Sequence, residues 1–208
     1  MNSLIRKIWK WIHIMLSKKP TPETKSIVIL GHLGAGKTSL WMRLQNKPLK
    51  DGYETTSTPI EIPAFQLNLD GKIVTIKVTK DVGGKNEAVC YNYETVLKED
   101  GTFIYYLIEY RKIEEHEKDI RAQLQKINEV IRNKKLKNLG FKIIITNFDK
   151  TKTITKQDAM EPLSKLKLKS IKGLNELADY VNNYDVLNMY TDDDIKSIKN
   201  EIINGIKG

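Results

Sequence analysis

The segment SIVILGHLGAGKTSL, residues 26–40, decides the fold of this chain. Its first five residues, 26–30, form an apolar run that predicts a short buried strand. Residues 31–38, GHLGAGKT, match the pattern G-x-x-x-x-G-K-[ST] completely, and residues 37–45 have a helical pattern. A glycine-rich turn between a strand and a helix is the arrangement in which backbone N–H groups surround phosphate groups. The segment therefore predicts a phosphate-binding loop.

The positions of this loop have predicted roles. Its glycines allow the backbone to turn so that amide N–H groups point inward, and the following helix adds its positive N-terminal end. The Lys37 ammonium should reach the β and γ phosphates, and the Thr38 hydroxyl should bind Mg²⁺. The predicted phosphate-binding residues of the loop are Gly31, Leu33, Gly34, Ala35, Gly36, Lys37, Thr38 and Ser39.

Beyond this loop, apolar runs alternate with helical patterns. Asp70-Gly71 lies between two β-rich runs and predicts a hairpin. Apolar residues at helical spacing predict a long helix through residues 120–131 that ends near Gly140, and a C-terminal helix through 195–206. Strands that alternate with helices predict an α/β layer fold with a mostly parallel sheet. The predicted strands after the first are residues 60–69, 72–79, 102–110, 141–146 and 184–189.

The N-terminal segment differs from the rest in charge and pattern. The formal net charge is +9, and residues 1–25 supply 6 − 1 = +5 of it, against 29 − 25 = +4 for all other residues. In residues 3–17 the cations lie on one helical stripe and Trp, Ile and Leu on the opposite side, although Ile14 falls in the polar stripe. The run is too short and too charged to span a bilayer, and its two faces favour contact with an anionic membrane interface.

Two alternatives for this segment stay open, namely packing on the protein's own domain or a partner, and a signal-anchor. The sequence predicts an amphipathic helix in residues 1–19, a linker in residues 20–25 and one domain in residues 26–208. A single cysteine, Cys90, excludes an intramolecular disulfide and suits the cytoplasm. Nucleic-acid binding is not expected, because the basic residues share their helix with two tryptophans and a broad aliphatic face.

A second motif, Asp81-Val82-Gly83-Gly84, follows the predicted strand 72–79. The Asp81 carboxylate at a strand end can hold Mg²⁺, usually through water, and the Gly84 backbone N–H would face a γ-phosphate. A D-x-G-G turn is common by itself. The same turn is a much more specific signal when it follows a phosphate loop and one hairpin.

Phosphate loop, hairpin and DVGG together resemble the ADP-ribosylation-factor (Arf) branch of the small GTPases, and so does an amphipathic helix ahead of the domain. A membrane-bound N-terminus is also similar to the β subunit of the signal-recognition-particle receptor. The resemblance covers residues 25–206. It implies a three-layer, Ras-like P-loop fold with a six-stranded sheet and about five helices. It also implies GTP or GDP and Mg²⁺ as ligands, and two switch loops.

In the family that the chain resembles, the motif N/T-K-x-D determines base specificity. Thr146-Asn147-Phe148-Asp149 lies at the matching place, so Thr146, Asn147 and Asp149 are the predicted base-binding residues. The Asp149 carboxylate can accept both N–H donors on the edge of guanine, and adenine offers no matching pair. Asn147 replaces a lysine whose stem packs over the base. The family's last motif, S-A-K, matches residues 188–191 poorly, and no residue is assigned there.

The resemblance also implies residues around the γ-phosphate. Thr58 is predicted to be the switch I threonine that meets Mg²⁺, chosen from Thr55, Thr56, Ser57 and Thr58 by its distance from Asp81. The predicted metal ligands are therefore Thr38, Thr58 and Asp81. The family usually has a glutamine after DVGG that orients the attacking water, and Lys85 takes that catalytic position here. Charged lysine has three donors and no acceptor, so we expect slow hydrolysis.

These observations predict a GTP-binding switch at a membrane surface, with a protein effector and regulators that the sequence does not identify. One alternative is a catalytically degenerate, nucleotide-bound scaffold that recruits partners, and Lys85 and Asn147 favour it. A P-loop kinase of small metabolites is a further alternative. The DVGG motif, the position of Asp149 and the lack of an Arg-rich lid argue against a kinase.

Overall fold

The protein is described by a computed structural model, which covers residues 22–49, 58–83, 93–168, 177 and 184–205. The strands in this part of the chain are β1 (Glu23–Lys25), β2 (Ile27–Gly31), β3 (Ile60–Ile62), β4 (Phe65–Leu69), β5 (Lys72–Ile76), β6 (Thr79–Asp81), β7 (Phe103–Glu109), β8 (Gly140–Asn147) and β9 (Tyr184–Asn188). The helices are α1 (Lys37–Leu44), α2 (Glu117–Lys134), α3 (Lys156–Lys165) and α4 (Asp192–Asn204), with a helical turn at 93–96 and a 3-10 helix at Tyr110–Lys112.

The central sheet has the order β2-β7-β8-β9, and all its strands are parallel. Side chains of β7 alternate between its two faces: Tyr106 and Ile108 join the core beside α2 and α3, whereas Tyr105 and Leu107 join the core beside α1 and α4. Helices therefore cover both faces of the sheet, which explains its almost entirely apolar strands. The predicted α/β layer fold with a mostly parallel sheet is confirmed.

The predicted number of six strands differs from the structure, which has nine among the described residues, in three hydrogen-bonded groups. Only Ser26 separates β1 from β2, and the chain changes partner there: β1 pairs with β5 and β2 pairs with β7. The predicted strand 60–69 is interrupted after Ile62 by Pro63, which has no N–H for a ladder bond. The run 72–79 is likewise interrupted at residues 77–78.

The boundaries of several other elements also differ from the predictions. Glu23–Lys25, placed in a linker, form β1 because they pair in parallel with residues 74–76. The long helix ends at Lys134 rather than near Gly140, since Lys135 adopts a left-handed conformation with φ 53°. Helix α3 was not predicted, although its Thr155–Asp158 capping box is a sequence signal for a helix start. No helix in the described part of the chain is both long enough and apolar enough to span a membrane.

Candidate functional site

The phosphate loop joins the end of β2 to the start of α1 at the carboxyl edge of the central sheet. Gly31, Gly34 and Gly36 have φ of 146°, 80° and 89°, a backbone region that favours glycine. Space is also restricted, because a Cβ on Gly31 would lie 2.3 Å from the carbonyl oxygen of Leu107. The structure therefore requires glycine at the first position of the predicted motif as well as within the turn.

The Lys37 side chain lies inside the phosphate loop. Its ammonium donates hydrogen bonds of 2.9 Å to the carbonyl oxygens of Gly31 and His32, and the residue is only 7% exposed. Burial lowers the pKa of the ammonium to about 8, an effect that the nearby Asp81 carboxylate opposes. A buried cation with only neutral hydrogen-bond acceptors is well suited to receive a phosphate oxygen.

The Asp81 carboxylate meets the first turn of α1 at the end of β6. Its Oδ2 accepts a hydrogen bond from the Thr38 hydroxyl, whereas its Oδ1 is buried and has no hydrogen-bond partner. Burial raises the pKa of Asp81, while the Thr38 hydrogen bond and the Lys37 charge oppose this change. A buried oxygen without a partner costs free energy that a cation would offset. This pair of oxygen ligands fits Mg²⁺, which prefers carboxylate and hydroxyl oxygens.

The ends of two neighbouring strands hold the back of the phosphate loop. The Thr146 hydroxyl, at the end of β8, donates to the carbonyl oxygen of Ala35 at 2.9 Å. His32 Nε2 accepts a 3.0 Å hydrogen bond from the Glu109 backbone N–H at the end of β7, so its Nδ1 carries the hydrogen that is donated to the Leu33 carbonyl oxygen at 2.8 Å. The sequence predicted Thr146 at the base and gave His32 no role. Both side chains fix the loop in the structure.

Asp149 is a partly exposed residue in the loop after β8, and its carboxylate is accessible. Its Oδ1 accepts hydrogen bonds from the Thr151 backbone N–H (2.8 Å), the Thr151 hydroxyl (2.7 Å) and the Lys152 backbone N–H (3.2 Å). The bonds from Thr151 are the main reason why the pKa of Asp149 is lowered, so the carboxylate stays ionised and oriented at neutral pH. Such a group can accept hydrogen bonds from a base, as the sequence predicts.

The Asn147 side chain points into the interior. The residue is 1% exposed, and its amide nitrogen donates to the Lys152 carbonyl oxygen (2.6 Å) and to Asn188 Oδ1 (3.0 Å). Its amide oxygen accepts from the Asp149 backbone N–H at 3.2 Å. The structure therefore uses Asn147 to organise the loop that carries Asp149. Asn188, to which the sequence gave no role, extends this network to the Ile154 backbone.

The remaining predicted residues are placed as follows. Thr58 is exposed and lies two residues before Ile60, which pairs with Asp81, so it approaches the end of the strand that carries this carboxylate. Ser39 lies half-buried in α1. The other predicted residues lie outside the described part of the chain, namely the alternative switch residues 55–57, Gly84, Lys85 and the amphipathic segment 3–17.

A glycine loop between β2 and α1, a buried lysine within it and a hydroxyl–carboxylate pair beside it define a P-loop nucleotide-binding protein. Residues 26–175 match the sequence model of the Ras family, which is 150 of the 208 residues. The chain therefore belongs to the Ras family, within the small GTPase superfamily. Members of this family typically bind GTP or GDP together with Mg²⁺ and act with effectors and regulators. Among curated proteins, none matches this sequence.

Proposed function

We propose that this protein is an Arf-like, GTP-binding switch that associates with a membrane surface in the cytoplasm and hydrolyses GTP slowly. The observation that carries the proposal is the convergence of Lys37, Thr38 and Asp81 around an unpartnered carboxylate oxygen. Asp149 lies on the next loop of the same sheet edge and is held ionised. In this proposal Lys37, Thr38 and Asp81 recognise phosphate and metal, and Asp149 recognises the base.

On this proposal the phosphate loop binds the nucleotide through its backbone N–H groups and the Lys37 ammonium. Thr38 and Asp81 would hold Mg²⁺, and Thr58 would join them when a γ-phosphate is present. The ion, when bound, neutralises the charge of the β and γ phosphate oxygens. The Gly84 N–H would contact the γ-phosphate. These are the contacts by which a third phosphate could change the switch segments that follow them.

Lys85 supports the slow hydrolysis in this proposal. A charged lysine can donate a hydrogen bond toward phosphate but cannot accept one from the attacking water, so it does not orient the nucleophile as glutamine does. A nucleotide-bound scaffold without useful turnover is the second candidate. Lys85 favours the scaffold. Asn147 also favours it, because this residue replaces the lysine whose stem packs over the base and is itself buried.

The DVGG motif and the separated cationic and apolar faces of residues 3–17 support the Arf-like and membrane-associated parts of the proposal.

The base assignment is tested by the dissociation constants of GTP, ATP and xanthosine triphosphate with Mg²⁺, measured by displacement of a fluorescent nucleotide. The protein should prefer GTP to ATP by more than about a hundredfold, because a site built for two donors rejects a base that lacks them. Asp149→Asn should move the preference toward xanthosine triphosphate. Asp158→Asn is the matched control, since Asp158 is an exposed carboxylate that also accepts hydrogen bonds from a threonine.

Equal affinity of the unmodified protein for ATP and GTP would contradict the base assignment. Phosphate release from bound GTP, followed in the same samples without any partner, tests the hydrolysis. Slow release supports a switch, and rapid release contradicts slow hydrolysis. No release over many hours would favour the scaffold.

A further inference from the structure

Phe148 connects the phosphate loop with the loop that carries Asp149. A Cβ on Gly36 would lie 2.3 Å from Cζ and 2.8 Å from Cε2 of the Phe148 ring, and 3.3 Å from the terminal carbon of Met189. The ring edge therefore lies directly against the glycine that precedes α1. Phe148 is also immediately before Asp149 in the chain, so the ring is next to both halves of the candidate nucleotide site.

The Phe148 ring is only partly buried. It packs against the core cluster that includes Met189 and Ala35, and part of its surface remains accessible. An accessible aromatic ring in the polar segment after β8 (residues 148–152, FDKTK) exposes apolar surface that a ligand could cover. Aromatic side chains stack on the faces of nucleic-acid bases and thereby contribute to their binding. The ring is thus a surface suited to a purine.

The neighbouring residue cannot provide this surface. Asn147 is buried, and its amide is fully engaged with Lys152, Asn188 and the Asp149 backbone. A hydrogen-bonding carboxylate such as Asp149 contacts only the edge of a base, so the face of the base needs a separate apolar contact.

We propose that Phe148 is the base-stacking residue of this nucleotide site, with the ring against the face of the purine while Asp149 binds its edge. The inference rests on the proposed function, because it requires a bound nucleoside. Stacking uses the ring face of the base and not its substituents, so it should contribute to the binding of any purine nucleotide.

The test compares Phe148→Leu with Phe103→Leu. Phe103 is the matched control: it is also a partly buried phenylalanine that covers a glycine, since a Cβ on Gly140 would lie 1.9 Å from its ring. Phe103 lies at the start of β7, whereas Phe148 follows the end of β8, so the two rings are at opposite edges of the sheet. Dissociation constants are measured for GDP, inosine diphosphate and inorganic tripolyphosphate, and the melting temperature of each variant confirms that it folds.

Phe148→Leu should weaken GDP and inosine diphosphate by similar factors, between about fivefold and a hundredfold, which corresponds to the energy of one stacked base. Tripolyphosphate binding should not change, because it has no base. Phe148→Tyr keeps the aromatic face and should stay within about twofold of the unmodified protein. Phe103→Leu should leave all three ligands unchanged.

Three outcomes would overturn the stacking role. Unchanged GDP affinity in Phe148→Leu would show that the ring does not contact the base, and tighter binding would show that it obstructs the site. Equal loss for GDP and tripolyphosphate would mean that the ring only supports the phosphate loop through Gly36. A different result would refute the proposed function itself. In that case the unmodified protein would bind tripolyphosphate, and would bind nucleoside diphosphates no more tightly.

Discussion

Lys37 couples the phosphate loop to pH. Burial lowers the pKa of its ammonium from 10.5 to about 8 in the free protein. In the free protein the folded state therefore binds fewer protons than the unfolded state between about pH 8 and 10.5, so stability should rise with pH across this window. A bound phosphate raises the pKa of Lys37, because its negative charge favours the protonated amine.

Nucleotide binding should consequently weaken at alkaline pH. The protonated fraction of Lys37 falls as pH rises through about 8, and the affinity for GDP should decrease by about eightfold between pH 7.5 and 9.0. Calorimetry at pH 8.5 in two buffers of different ionisation enthalpy should reveal proton uptake on binding. A constant affinity and no proton uptake would show that the ammonium is fully charged before the phosphate arrives.

Individual residues were predictable from the sequence when their role is local. Gly31, Gly36, Lys37 and Thr38 lie within one turn, so their spacing along the chain already determines their geometry. The role of His32 could not be predicted in this way, because its acceptor nitrogen bonds to Glu109, which lies 77 residues further along the chain. Contacts of this kind depend on which strand ends are adjacent in the sheet.

Among the secondary-structure elements, apolar runs predicted the six extended segments but not how these segments pair. Glu23–Lys25 add β1 to these segments, and the breaks at Pro63 and at residues 77–78 each divide one segment into two, so that nine strands result. Periodicity along the chain indicates a strand and its buried face, but hydrogen-bond partners depend on the tertiary arrangement. The same limit applies to Asn147, whose burial follows from its pairing with Asn188 across β8 and β9.

Asp81, at the end of β6, contacts the first turn of α1 through the Thr38 hydroxyl. Asp81→Asn removes a buried charge whose Oδ1 has no partner while keeping an acceptor for the Thr38 hydroxyl. Burial raises the pKa of Asp81, so its ionised form does not favour folding at neutral pH, and the melting temperature without Mg²⁺ should not fall. The additional rise in melting temperature that Mg²⁺ produces with GDP should disappear.

Thermal unfolding with and without Mg²⁺, at fixed GDP, measures both parts of this prediction. Asp193→Asn is the control, since Asp193 is an exposed carboxylate on α4. Asp81 is not a metal-binding residue of this protein if its asparagine variant keeps the full Mg²⁺-dependent shift.

The net charge is unevenly distributed along the chain. Residues 1–25 supply 6 − 1 = +5 of the net +9, although they are only 25 of the 208 residues. The structure now limits where this segment can be cut, because Glu23–Lys25 pair with β5 and belong to the folded domain. A variant without residues 2–19 removes the amphipathic segment and keeps β1 intact.

We predict that residues 3–17 contact an anionic membrane surface. Co-sedimentation with vesicles should increase with the fraction of anionic lipid and decrease with salt, because surface charges are screened within roughly 8 Å at physiological ionic strength. Trp9→Glu places a charge on the apolar side and should reduce binding strongly. Ile14→Glu is the matched control, since Ile14 falls in the polar stripe, and it should have a much smaller effect. Equal sedimentation of the full chain and of the variant without residues 2–19 would contradict membrane contact and favour packing of the segment on the domain or on a partner.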